Sequence, residues 1–135
     1  MGIKNKSIFH LAIPCKDLNE SYEFYDKRFG FKMARRYEDR ITFNVLGDQL
    51  VCHLTNKKDI EISPKLYPRH FGLTFLDKKD FDQYYKLAQL NKNFIFKDLF
   101  IRWLGRKDEH HSFFLCDPAN NLIEFKYYKD PKLIY

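Results

Sequence analysis

The sequence predicts an α+β fold built from two tandem βαβββ modules. Three observations carry that reading. Apolar spacing alternates between strand and helix periods in the order strand, helix, three strands, and then repeats it. Comparing the halves at one fixed offset places His10 on His70, Leu11 on Phe71, Ile13 on Leu73, Asp17 on Asp77, Phe24 on Tyr84 and Tyr25 on Tyr85. The chain has 135 residues, 44% of them hydrophobic and 31% charged, the balance of one folded unit rather than a disordered or membrane-spanning chain. The aromatic share is high at 18%, which suits a well-filled core or an aromatic-lined cavity.

Module one spans about 7–55. Ile8 to Cys15 is a short apolar run and reads as a buried strand. Asp17 is placed to cap a helix whose apolar residues Leu18, Tyr22, Tyr25 and Phe29 share one face, and Gly30 ends it. Three strands follow, Phe31 to Tyr37, Ile41 to Leu46 and Gln49 to Thr55, with polar breaks at Glu38-Asp39 and Gly47-Asp48. Residues 56–68 carry two prolines and no period, and read as a linker.

Module two spans about 69–129. RHFGLTFLD is its first strand and KKDFDQYYKLAQLN its helix, with Phe81, Tyr84, Tyr85 and Leu87 apolar. Phe94 to Leu104 holds one long or broken strand, His111 to Cys116 another and Leu122 to Tyr128 the last. Asp117-Pro118-Ala119-Asn120-Asn121 is a turn by its residue types.

Lys and Arg number 24 against 18 Asp and Glu, a net charge of +6. The cations are scattered, and no run forms a basic arm, so the charge reads as a solubilising surface suited to anionic small molecules rather than nucleic acid. Cys15, Cys52 and Cys116 are odd in number, sit inside apolar runs and form no C-x-x-C pair. Reduced, buried thiols in a cytoplasmic protein fit that usage better than disulfides or zinc. The N-terminus faintly mimics a secretory signal, but its apolar part is short and no small-x-small cleavage site follows. Lys6 breaks the N-myristoylation pattern, and no charge-free apolar run reaches the length of a membrane span.

Strand alternation then selects a chemical constellation. Phe9, Leu11 and Ile13 face the helix-covered core, which turns His10, Ala12 and Pro14 the other way. Phe71, Leu73 and Phe75 likewise leave His70, Gly72 and Thr74 opposite, and Ile123, Phe125 and Tyr127 leave Leu122, Glu124 and Lys126. Three strands thus each offer one metal ligand on a non-core face. Two imidazoles and one carboxylate form the facial set that leaves positions open on a divalent ion for substrate or water. Each residue alone has a plainer reading: a half-buried hydrogen-bonded histidine, or a surface carboxylate. His10 and His70 gain weight together because they fill the same slot of the repeat.

The segments FHLAIPCKDLNESYEFYDKRFGF, RHFGLTFLDKKDFDQYY and FFLCDPANNLIEFKYY resemble the vicinal oxygen chelate superfamily of glyoxalases, extradiol dioxygenases, fosfomycin-resistance enzymes and bleomycin-binding proteins. The last segment is similar to the D-P-x-G-N-x-x-E-[FL] ending, with Asn120 where glycine is usual; asparagine tolerates the left-handed conformation. QLVCHL followed by HFG and EFK most resembles small bacterial proteins described as predicted extradiol dioxygenases. The resemblance implies a strongly curved mixed sheet around a metal-binding cavity, ligands at His10, His70 and Glu124, and in some members modules paired between two subunits of a homodimer. It further implies Fe(II) and ring opening of a small catechol-like substrate. The alternatives are a glyoxalase-type lyase or thiol transferase using Mn(II), Ni(II) or Zn(II), and a metal-free binding protein of the bleomycin-resistance kind.

A fourth ligand is usual in glyoxalases on the strand equivalent to Gln49–Thr55. Here Val51 aligns with Glu124, and His53 lies one strand repeat further on the same face. His53 is either an acid–base group beside the open metal positions or an inward histidine that hydrogen-bonds a neighbour. Lys126 and Arg102 are candidates to bind an anionic group of the substrate, or are simply solvated cations. His110 and His111, being adjacent, face opposite ways on a strand and do not chelate one ion.

Overall fold

The computed structural model describes residues 7–135; the lipidation pattern at residues 1–6 and the basic start of the signal-like stretch lie outside the described residues, while the apolar part of that stretch contains the first strand. The strands form two four-stranded mixed sheets of identical topology, β1-β4-β3-β2 and β5-β8-β7-β6. The chain divides into two compact units at Ile60/Glu61. Among the described residues no helix is long and apolar enough to cross a membrane.

In the first unit β1 (His10–Cys15) runs parallel to β4 (Asp48–Leu54), followed by β3 (Arg40–Val45) and β2 (Met33–Arg36). Asp17 caps α1 (Leu18–Tyr22), its Oδ1 accepting from the Glu20 amide at 3.0 Å. The single regular helix expected over this stretch is corrected by the structure. The backbone widens into a π-helical run, Glu23–Arg28, in which the Phe29 amide donates to the Phe24 carbonyl five residues back. The wider turn brings Phe24 beside Tyr25 and Phe29 in the core and leaves Tyr22 half-buried. Ring centroids lie 4.7 Å apart for Phe24–Tyr25, 4.9 Å for Phe24–Phe29 and 5.1 Å for Tyr25–Phe43. Burying each such ring is worth roughly 1.5–3 kcal/mol.

Two further expectations shift. Leu46 and Gly47 both take positive φ, 53° and 100°, which makes them the two-residue loop of a type I′ hairpin between β3 and β4. The break is therefore Leu46-Gly47 rather than Gly47-Asp48. Phe9 is not core: it precedes β1 and is 67% exposed, although its carbonyl extends the ladder by accepting from the Gln49 amide at 2.9 Å.

In the second unit β5 (Phe71–Phe75) runs parallel to β8 (Leu122–Tyr128), followed by β7 (His110–Cys116) and β6 (Ile95–Arg102). α2 (Lys78–Leu90) begins at Asp77, whose carboxylate accepts from the Lys79 amide at 2.8 Å. It buries Phe81 and Ala88 against a stack in which Phe113 and Phe125 lie nearly parallel, 5.0 Å apart. β6 is the broken strand, with register shifts between Ile95 and Lys97 and again before Phe100. The turn before β8 is tied by Asp117, whose Oδ1 accepts from the Ala119 and Asn121 amides at 2.8 and 2.9 Å. Asn120 takes the left-handed φ of 64°.

Candidate metal centre

The parallel pairing of β5 with β8 sets Gly72 opposite Glu124 and Thr74 opposite Lys126. Gly72 is required there, because a Cβ would overlap the Glu124 carbonyl oxygen. The glycine thus lets the strand carrying the carboxylate approach the strand that follows His70.

His70 stands immediately before β5. Its Nδ1 lies 2.6 Å from the Leu66 carbonyl oxygen. A carbonyl only accepts, so Nδ1 carries the hydrogen and Nε2 is the free ring nitrogen. Nε2 lies 3.4 Å from Glu124 Oε1, and the Glu124 side chain is only 13% exposed. A neutral imidazole nitrogen and a carboxylate oxygen are both acceptors, so they face one another favourably only across a proton or a metal cation. The pair fits a divalent ion by donor type as well as by orientation. Lys126 Nζ reaches the same Oε1 at 3.4 Å.

His10 opens β1 in the first unit, is exposed, and pairs with Gln49. His53 is exposed on β4, opposite Pro14 on one side and Arg40 on the other. His10 and His53 share a face, but four residues separate them along parallel strands, about 13 Å. Ala12 pairs with Val51 as Gly72 pairs with Glu124, so the first unit has an apolar side chain where the second has its carboxylate, and His53 holds the place of Lys126. Among the described residues no group of three or more His, Cys, Asp or Glu side chains is gathered to hold a metal. The structure brings together His70, Glu124 and Lys126.

Arg102 ends β6. Its Nη2 donates to the Tyr67 hydroxyl at 3.4 Å, and its guanidinium lies 5.6 Å from the Phe100 ring centre. The Tyr67 ring meets His70 edge-on at 5.7 Å, and His70 meets Phe114 edge-on at 5.4 Å. Sequence reasoning missed Tyr67, which lies in the aperiodic stretch where no period marks a face.

His110 and His111 start β7 and face opposite ways. His110 packs against Trp103 and Tyr128, whereas His111 Nε2 lies 3.2 Å from Glu109 Oε2. The Gly105 amide, at 2.9 Å from Oε1, and then His111 hold the Glu109 carboxyl below the usual glutamate range. None of the three cysteines is in a disulfide, Cys15 and Cys52 are buried, and burial pushes the Cys116 thiol up to about 11. These thiols are structural rather than nucleophilic.

Residues 7–125 match the model of the Glyoxalase/Bleomycin resistance protein/Dioxygenase superfamily, and the chain belongs to that vicinal oxygen chelate family. A glyoxalase/bleomycin resistance protein/dioxygenase from Alicyclobacillus acidocaldarius is 51% identical, with 98% of this chain and 100% of that one covered at a TM-score of 0.91. Lactoylglutathione lyase from Agrobacterium tumefaciens is 20% identical over 96% of this chain and 97% of its own, with a TM-score of 0.69. The genomically encoded fosfomycin resistance protein of Listeria monocytogenes is 17% identical over 98% and 100%, with a TM-score of 0.66. The last two likenesses show the fold alone. No curated protein sequence matches. The superfamily is mostly enzymatic, and its members use divalent metals and bind small-molecule substrates.

Proposed function

We propose that this protein is a metal-dependent enzyme acting on a small molecule with two neighbouring oxygens, an Fe(II) extradiol-type dioxygenase of a catechol-like substrate. The observation that carries the proposal is the His70–Glu124 pair, whose Nε2 and Oε1 lie 3.4 Å apart with the imidazole oriented by Leu66. His70 and Glu124 would hold the ion, and His10 would be the third ligand, from the same chain or from the partner in a homodimer. A divalent ion so held lowers the pKa of substrate hydroxyls and stabilises the resulting anion, and Fe(II) adds the capacity to react with oxygen.

The chain's own residues supply the rest. Lys126 balances the charge of Glu124 and, once the carboxylate turns to an ion, becomes available to a substrate oxyanion. Arg102 binds an anionic part of the substrate. His53 acts as a proton carrier beside the reacting oxygens. Three cysteines without a disulfide suit a reducing, cytoplasmic compartment, and the two modules, 7–55 and 69–129, work as one domain.

Metal analysis after anaerobic purification, followed by oxygen uptake with a panel of catechols, tests the reading. Iron with catechol-dependent uptake supports it. Stoichiometric Ni, Zn or Mn with turnover of a methylglyoxal–glutathione adduct assigns the chain to lyase or transferase chemistry instead. Absence of bound metal together with tight binding of an aromatic ligand assigns it to sequestration.

A further inference from the structure

The registers of the second sheet define one face row by row, because directly paired residues point the same way. Gly72, Glu124, Phe114 and Lys97 form one row; Thr74, Lys126, Ser112 and Phe100 the next; Tyr128, His110 and Arg102 the third. Three cations, Lys97, Arg102 and Lys126, therefore share this face with a single carboxylate, Glu124. Asp98, the nearest other acid of β6, is taken up on the α2 side by the Tyr85 hydroxyl at 2.8 Å. Lys126 is paired with Glu124. Among the described residues neither Arg102 nor Lys97 has a carboxylate within ion-pair reach; both lie against the Phe100 ring instead. At the middle of the face, the Ser112 hydroxyl is the one buried side-chain polar atom without a hydrogen-bond partner among the described residues.

An uncompensated guanidinium, steadied by a phenol on one side and an aromatic ring on the other, is a preorganised receptor for a planar oxyanion. Tyr67 links that receptor to the metal-ligand pair: its hydroxyl is on Arg102 and its ring is against His70. The anion seat is thus about one aromatic side chain away from the proposed ion.

We propose that the substrate of this site carries a second anionic group, a carboxylate or phosphoryl, and that Arg102, set by Tyr67, is its receptor and determines specificity. This inference rests on the metal-site reading for the position of the substrate's oxygens, but not for the existence of the receptor. The seat selects ring compounds whose neighbouring oxygens and oxyanion lie at opposite ends, and discriminates against their neutral analogues.

Trp103, the sole tryptophan of the chain, follows Arg102 and reports its occupancy by fluorescence. Metal-free protein is titrated with benzoate and with inorganic phosphate; metal-loaded protein is titrated with 3,4-dihydroxybenzoate and with catechol. The expected result is saturable benzoate or phosphate binding that Arg102→Gln weakens about tenfold or more and Tyr67→Phe about threefold. In the loaded protein 3,4-dihydroxybenzoate binds about tenfold or more tighter than catechol, and Arg102→Gln removes that margin while metal content stays unchanged. Arg102→Lys, which keeps charge but loses the fork, falls between. A preference for benzoate over phosphate identifies a carboxylate substrate, and the reverse a phosphoryl one. Equal binding of the two diols to wild type, with neither simple anion bound, overturns the receptor while leaving the metal site standing. Arg102-dependent benzoate or phosphate binding in a protein that takes up no metal overturns the metal-site reading and leaves the receptor.

Discussion

The two units repeat one another in strand order and register, yet among the described residues only the second brings a histidine and a carboxylate together. Ala12 faces Val51 in the first where Gly72 faces Glu124 in the second. The difference rests on a small change in sequence: a missing Cβ leaves room for the Glu124 carbonyl, and the residue opposite is an acid. The helices differ in the opposite sense. The first unit packs its aromatic residues through a π-helical widening, whereas α2 of the second stays regular for 13 residues.

The largest expected break falls on that widened helix. Phe24→Ala empties a site that a regular helix would not have filled, and should cost about 3–5 kcal/mol by denaturant unfolding. Tyr84→Ala, its half-buried repeat counterpart, should cost clearly less. Next comes the strand contact. Gly72→Ala must push β5 away from the Glu124 carbonyl and should cost roughly 2–4 kcal/mol together with metal uptake. The mirror change, Ala12→Gly, should cost no more than about 1 kcal/mol and leave metal uptake unchanged. Equal penalties at positions 12 and 72 would erase the distinction between the units.

His70→Ala sharpens the comparison chemically. Bound metal should fall at least tenfold by elemental analysis while the melting temperature holds, since His70 stands outside β5 and its ring contacts are edge contacts. Full metal content in that variant would remove His70 from the site.

Much of this was legible in the sequence, and the parts that were not share a cause. Asp17 announced its cap, and period-two alternation combined with the repeat placed His70 and Glu124 on the non-core face. Those signals are local. The π-helical turn was not legible, because the spacing of Leu18, Tyr22, Tyr25 and Phe29 is consistent with a regular helix and only tertiary packing recruits Phe24. The role of Gly72 depends on a strand some fifty residues away, and Tyr67 sits where no period orients a side chain. The shift of the hairpin onto Leu46-Gly47 pits an apolar residue's ordinary strand preference against the twist that a type I′ loop supplies.

The smallest expected effect is on pH. Glu109 is held below the usual glutamate range in the folded state, so its contribution is present above the unfolded value and is lost as pH falls through the folded one. Chemical denaturation from pH 7 down to pH 3 should show a loss of stability below about 4.5 that Glu109→Gln flattens. Among the described residues the first unit holds no such carboxylate–histidine brace.

The hydrogen that Leu66 takes from the His70 ring ties the orientation of that ring to backbone length. An insertion or deletion between Leu66 and His70, in a stretch whose irregular course would ordinarily absorb it, rotates an imidazole rather than merely lengthening a surface loop. If His70 holds an ion as proposed, divergence in that connector registers first in metal uptake, well before it registers in melting behaviour.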